Sequence, residues 1–170
     1  MASLRETLDA LGKKAEAKQI AEAQRALLDE TAAKAPTPLA AMTYNWPRAE
    51  VYVYLGKPLD LAPDLEKNAK ALPEEYDPRA RLGWIYYKAG KLPEAAQWTD
   101  KALELVYGPR KGRLLTQRAD IAAAAGDKKT EVILRADAVQ LYEGLPAGQQ
   151  APEALAKAKQ ALADVGSAAP

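Results

Sequence analysis

Four short glycine turns constrain this chain more than any other feature. Leu11-Gly12-Lys13-Lys14, Leu55-Gly56-Lys57-Pro58, Ala89-Gly90-Lys91-Leu92 and Ala125-Gly126-Asp127-Lys128 look alike, and their glycines are separated by 44, 34 and 36 residues. Each turn follows one helix-compatible stretch and precedes another. The residue just past a helix end often takes a left-handed conformation that a Cβ penalises, so glycine is the favoured occupant. A helix–turn–helix unit recurring at about 34 residues is the mark of a stacked helical repeat, in which one unit cannot bury its apolar face alone. Composition points the same way. Ala and Leu dominate an apolar fraction of 48%, Phe is absent and β-branched residues are sparse, which favours helix over strand. With 170 residues, the chain is expected to form a single domain over 1–165 with a real core.

The clearest unit spans 76–107. Asp77 can cap a helix and Pro78 suits its first turn. Leu82, Ile85, Tyr86 and Ala89 recur on one helical face, Gly90 ends the helix, and Ala95, Trp98, Ala102 and Leu105 recur in the next. Units at 38–73 and 110–146 are weaker. Pro47 is expected to bend the first helix of one or start it late, and Glu131 and Arg135 stand at positions of the other where small or apolar residues are usual. Residues 3–35 read as a divergent helix pair opened by a Ser3-x-x-Glu6 capping box. Residues 152–165 read as a terminal helix with one polar side, the kind of cap a solenoid needs, and 166–170 as a flexible tail.

The side-chain inventory limits the chemistry. There is no His or Cys, and the only serines are Ser3 and Ser167, so Ser–His and Cys–His nucleophiles and the usual zinc sites are excluded within the chain. The run Gly108-Pro109-Arg110-Lys111-Gly112-Arg113 lacks the spacing of a phosphate loop. The chain is therefore expected not to be an enzyme and to need no cofactor or metal. The 24 basic and 23 acidic residues nearly cancel, which leaves no large field for nucleic acid or anionic lipid. No apolar run approaches the ~18 residues of a membrane span. As a complete chain it is expected in the cytoplasm; as an excised domain, a periplasmic home stays open.

The 76–107 unit resembles the tetratricopeptide repeat (TPR) family. Leu82-Gly83, Tyr86, Gly90, Ala95 and Ala102 stand where that family has Leu-Gly, an aromatic, a turn glycine and the small residues of the helix crossing. Arg79 departs from the pattern by replacing an aromatic, and Tyr107 by standing at the usual proline. The resemblance implies an all-α right-handed superhelix of antiparallel helix pairs: about three repeats, a divergent N-terminal pair and a C-terminal capping helix. It also implies a concave groove lined by the first helix of each repeat. In register, those positions are Thr43, Trp46, Glu50 and Tyr54; Ala80, Trp84, Tyr87 and Lys88; and Arg113, Thr116 and Asp120.

Spacing supports part of this independently. Trp46, Glu50 and Tyr54 lie four apart and share a helix face, and Trp84, Tyr87 and Lys88 form a stripe offset from the apolar one. An amphipathic helix needs one apolar face, whereas Trp, Tyr and Arg dominate binding hot spots. The same aromatics could instead pack on neighbouring helices or on the N-terminal pair. The expected peptide-binding residues are Trp46, Glu50, Tyr54, Trp84, Tyr87, Lys88 and Arg113, with Arg113 meeting an acidic group of a bound peptide. Thr43 and Pro47 stand where family members that clamp a chaperone tail carry Lys and Asn, which disfavours that partner.

The expected function is a non-catalytic protein- or peptide-binding scaffold. The alternative is a docking or dimerisation domain of a larger protein, since Ala-rich repeats of this style also look like regions attached to some bacterial thioredoxin-fold proteins. A homodimer is the remaining alternative.

Overall fold

Each of the four glycine turns closes its helix in the same way. Gly12, Gly56, Gly90 and Gly126 have φ of 74°, 72°, 72° and 75°. The next residue in each turn (Lys13, Lys57, Lys91 and Asp127) donates its N–H at 2.9 Å to the carbonyl of Leu8, Tyr52, Tyr86 or Ala122, five residues back. That bond satisfies a helix-end carbonyl and reverses the chain within three residues.

The computed structural model describes the backbone of residues 2–167 and the side chains of residues 4–166. It is all-helical, with no strand among the described residues. The helices are α1 (Ala2–Ala10), α2 (Lys14–Ala33), α3 (Pro38–Met42), α4 (Asn45–Tyr54), α5 (Ala62–Ala71), α6 (Asp77–Lys88), α7 (Leu92–Leu103), α8 (Gly108–Ala124), α9 (Lys128–Glu143) and α10 (Pro152–Ser167), with short 3-10 turns at Pro58–Leu61 and Ala147–Gln149. Neighbours in sequence pack as neighbours in space: α1 on α2, α6 on α7, α8 on α9 and α9 on α10. Across these pairs, α2 packs on α4, α4 on α6 and α6 on α8.

Pro47 delays its helix. The segment splits into α3 and α4, and Pro47 falls in the first turn of α4, where a missing N–H breaks no intrahelical bond. At the other end, α10 runs through Gly166 to Ser167, into the stretch expected to be tail; residues 168–170 lie outside the described residues, as does the Ser3 side chain of the expected capping box.

The main core gathers Ala49, Val51, Tyr52, Leu61, Leu65, Leu82 and Ile85 beneath Ala21 of α2, and a second cluster joins Ala80, Ala102, Val106 and Leu114. Helix α6 crosses α7 closely at a glycine. A Cβ on Gly83 would collide with Oγ1 of Thr99 and lie 3.1 Å from the Thr99 backbone N. Ala95, Thr99 and Ala102 are fully buried there.

Three polar arrangements replace apolar contacts. Arg79 donates to the carbonyls of Glu75 (2.7 Å), Leu72 (3.2 Å) and Ala69 (3.3 Å), and so ties the end of α5 to the start of α6. Arg48 of α4 is buried between Asp29 of α2 (2.8 Å) and Asp64 of α5 (2.6 Å), and the Tyr52 hydroxyl also donates to Asp29 (2.9 Å). Burial opposes the Arg48 charge, but the bonds to Asp64 and Asp29 outweigh it and hold its pKa above the usual value. Glu131 of α9 is buried and paired with Arg135 (2.9 Å), which reaches Asp120 of α8 (3.2 Å). The two charged residues at the α8–α9 crossing thus neutralise each other.

Candidate functional site

The faces of α4, α6 and α8 enclose a cleft of about 570 Å³ that brings together Trp46, Trp84 and Arg113. These come from three separate helices, because α4 packs on α6 and α6 on α8. Ala80 and Leu114 supply further apolar wall, and Tyr76, Asp77, Arg81, Arg110 and Gln117 supply polar groups. The Trp46 and Trp84 rings meet at 4.9 Å between centroids, tilted by 49°, a favourable aromatic pairing. Trp46 remains 39% exposed, whereas Trp84 is half-buried and also leans on the main core.

A buried polar chain holds this wall in place. Fully buried Asn45 of α4 accepts from Asn68 of α5 (3.2 Å) and donates to Asp77 of α6 (3.1 Å). Asp77 takes Arg81 through Nε (3.0 Å) and Nη2 (2.6 Å), and the Arg81 guanidinium lies 4.5 Å over the Trp46 ring. Asp77 is therefore not the side-chain cap expected of it; its carboxylate serves Asn45 and Arg81 instead. Sequence reasoning missed Asn45, Asp77 and Arg81 as parts of the site. The one local signal was the four-residue spacing of Asp77 and Arg81 on a helix.

The other expected residues are dispersed. Tyr54 donates its hydroxyl to Asp9 of α1 (2.9 Å), and Arg5 of α1 lies 4.6 Å over its ring. The N-terminal pair thus covers Tyr54, and it does not share the cleft with Trp46. Lys88 lies 5.8 Å over the Trp84 ring and 5.5 Å over Tyr87, near the far end of α6. Tyr87 is half-buried, and Glu50 is exposed on α4; neither lines the α4–α6–α8 cleft. Thr43 bonds back to the Ala40 carbonyl (2.8 Å), and Asp120 turns to Arg135.

Arg113 is shared. It also lines a second cleft, of about 660 Å³, between α8, α9 and α10, together with Thr116, Tyr142 and Lys157. Arg110, Arg113 and Lys157 form no hydrogen bond or ion pair among the described residues, in contrast to Arg5, Arg25, Arg48, Arg81, Arg118 and Arg135. The aromatic faces of Tyr54, Tyr52, Trp46, Trp84, Tyr87 and Trp98 each already hold a cation of this chain. The free charges along these clefts are thus largely positive, and the aromatic faces have little left to offer a cationic ligand.

No protein-family model and no curated protein matches the chain in sequence. Among the described residues, no helix is long and apolar enough to cross a membrane.

Proposed function

We propose that this chain is a non-catalytic scaffold of the TPR type that holds a protein or peptide segment against the inner faces of α4, α6 and α8. The observation that carries the proposal is the convergence of Trp46, Trp84 and Arg113 on one cleft. Hot spots are built from such residues, and a pocket of this size accepts a few side chains. The four superimposable glycine closures and the small residues Gly83, Ala95 and Ala102 at the α6–α7 crossing support the finer reading of the fold, a superhelix of helix pairs. The lack of His and Cys, with serine only at 3 and 167, supports the non-catalytic part.

The test compares wild-type protein with Trp46→Ala and Arg113→Glu in capture of a partner from the native source. Trp46 is the better probe of the two tryptophans, because Trp84 also leans on the core and its truncation costs stability. Both variants should keep the wild-type helical circular dichroism and lose the partner. Undiminished capture by both would refute the assignment of the groove.

A further inference from the structure

The cleft between α8, α9 and α10 contains a tyrosine whose hydroxyl has no partner among the described residues. Tyr142 of α9 is 5% exposed, and its hydroxyl oxygen has no hydrogen-bond partner among the described residues but is not sealed from solvent. Its ring lies against Gly112 of α8: a Cβ there would collide with Cζ and both Cε atoms of Tyr142. Gly112 is thus what allows the phenol end of the side chain to reach the α8 wall, where the ring lines the cleft beside Arg113. With the ring packed and the oxygen reachable by solvent, the hydroxyl is bonded to water in the free protein and can donate to a group that enters the cleft. Burial pushes the Tyr142 phenol above its usual pKa, against the pull of Arg113, so it remains a protonated donor at neutral pH.

Two cations flank this donor, Arg113 from α8 and Lys157 from α10, and neither is paired among the described residues. Pro109, Pro152 and Ala158 make the rest of the wall largely apolar, and Glu153 is the one acidic residue on it. A phenol O–H, a guanidinium and an ammonium around an apolar cleft match a carboxylate carried on a short aliphatic stem. A cationic ligand would meet two like charges and a single carboxylate, Glu153.

We propose that this cleft is a subsite for an acidic side chain, Asp or Glu, of the bound peptide, with Tyr142 as donor and Arg113 and Lys157 as counter-charges. This rests on the reading of the chain as a peptide-binding scaffold. It adds which residue type the peptide must carry and where that residue sits. Arg113 lines both clefts, so the acidic residue lies next to the segment held against Trp46 and Trp84.

The experiment is a selection from a synthetic bead library of random peptides, acetylated and C-terminally amidated so that side chains carry the only carboxylates. Selected peptides should contain Asp or Glu, and exchange of that residue for Asn or Gln should weaken binding about tenfold, the scale of a charged hydrogen bond. Tyr142→Phe removes only the unpartnered oxygen, so its melting temperature should equal the wild type's. It should nevertheless lose most of the preference for Glu over Gln, as should Arg113→Gln combined with Lys157→Gln. Selected peptides without an acidic residue, or a preference unchanged by these substitutions, would overturn the subsite and leave the groove standing. The same holds for a library with free C-termini in which the terminal carboxylate, not a side chain, is required. A selection that yields no binder at all would overturn the groove and the subsite together.

Discussion

Gly83→Ala tests the packing on which the groove depends. Gly83 is in the middle of α6, where Ala is intrinsically better by about 1 kcal/mol. The structure reverses that expectation. The new methyl would collide with the Thr99 hydroxyl oxygen, and would also lie 3.1 Å from the Thr99 backbone N and 3.3 Å from the Ala95 carbonyl. The hydroxyl is held in place, since it donates to the Ala95 carbonyl at 2.7 Å and accepts from Gln117 Nε2 at 3.2 Å. Backbone atoms of α7 cannot move out of the way without shifting the helix. Overpacking of this kind costs roughly 2–3 kcal/mol. After the gain in propensity, the net loss is about 1–2 kcal/mol, or roughly 3–8 °C in melting temperature for a chain of this size. Thermal melts followed by circular dichroism would measure it. The cycle with Thr99→Ala makes the test specific. Thr99→Ala alone should cost about 1 kcal/mol for its lost bonds, but much less in the Gly83→Ala background, giving a coupling of at least about 0.5 kcal/mol. A Gly83→Ala protein as stable as the wild type, or more so, would show that α6 and α7 do not cross as closely as described, and the reasoning would fail.

Three further outcomes follow from the same structure. Arg48→Ala should cost about 2–3 kcal/mol in urea unfolding, below the full price of a broken buried pair because Asp64 remains largely solvated; adding Asp29→Asn should recover part of the loss, and a loss under about 0.5 kcal/mol would dismiss the bridge as structural. Asp127 caps α9 by accepting from the Thr130 N–H at 3.0 Å, and hydrogen bonds from Thr130, side chain first and then backbone, lower its pKa. Its stabilisation is therefore present above the ordinary carboxylate pKa and fades as pH falls through the lowered one, so the melting-temperature gap between wild type and Asp127→Ala should close on acidification; a gap constant down to strongly acid pH would contradict the cap. Removing α1 by truncation before Lys14 should expose Tyr54 and increase its fluorescence quenching by iodide, whereas an unchanged accessibility would contradict the contacts with Asp9 and Arg5.

Much of the helical layout was legible because it is encoded locally. A glycine at a helix end, a proline in a first turn and an apolar stripe act over a few residues, and Gly90, Pro93 and the Leu82–Ile85–Tyr86 face needed no distant partner to be read. The candidate site was legible only in part. Trp46, Trp84 and Arg113 line one cleft, but Tyr54 does not, because what covers it is a helix more than forty residues away in sequence. Asn45 gave no warning at all. A lone Asn before a Trp-Pro pair reads as a loop residue, and its role depends on Asp77 and Asn68, on two other helices.

The sequence by itself determined that this chain is helical, where its turns fall and that it carries no His or Cys with which to build a Ser–His or Cys–His pair. Each of these depends on residue identity and short-range backbone sterics. Only the tertiary structure decided which aromatics stay open and which cations stay unpaired. Arg48 looks no different in sequence from Arg110 and Arg113, yet it is consumed by Asp29 and Asp64, carboxylates brought to it by packing, and Arg135 gains Asp120 of α8 in the same way. Exposure and charge pairing depend on which helices become neighbours. The glycine turns bring the helices back on one another, but the distances at which side chains then meet are set by the crossings, such as Gly83 against Thr99 and Gly112 against Tyr142.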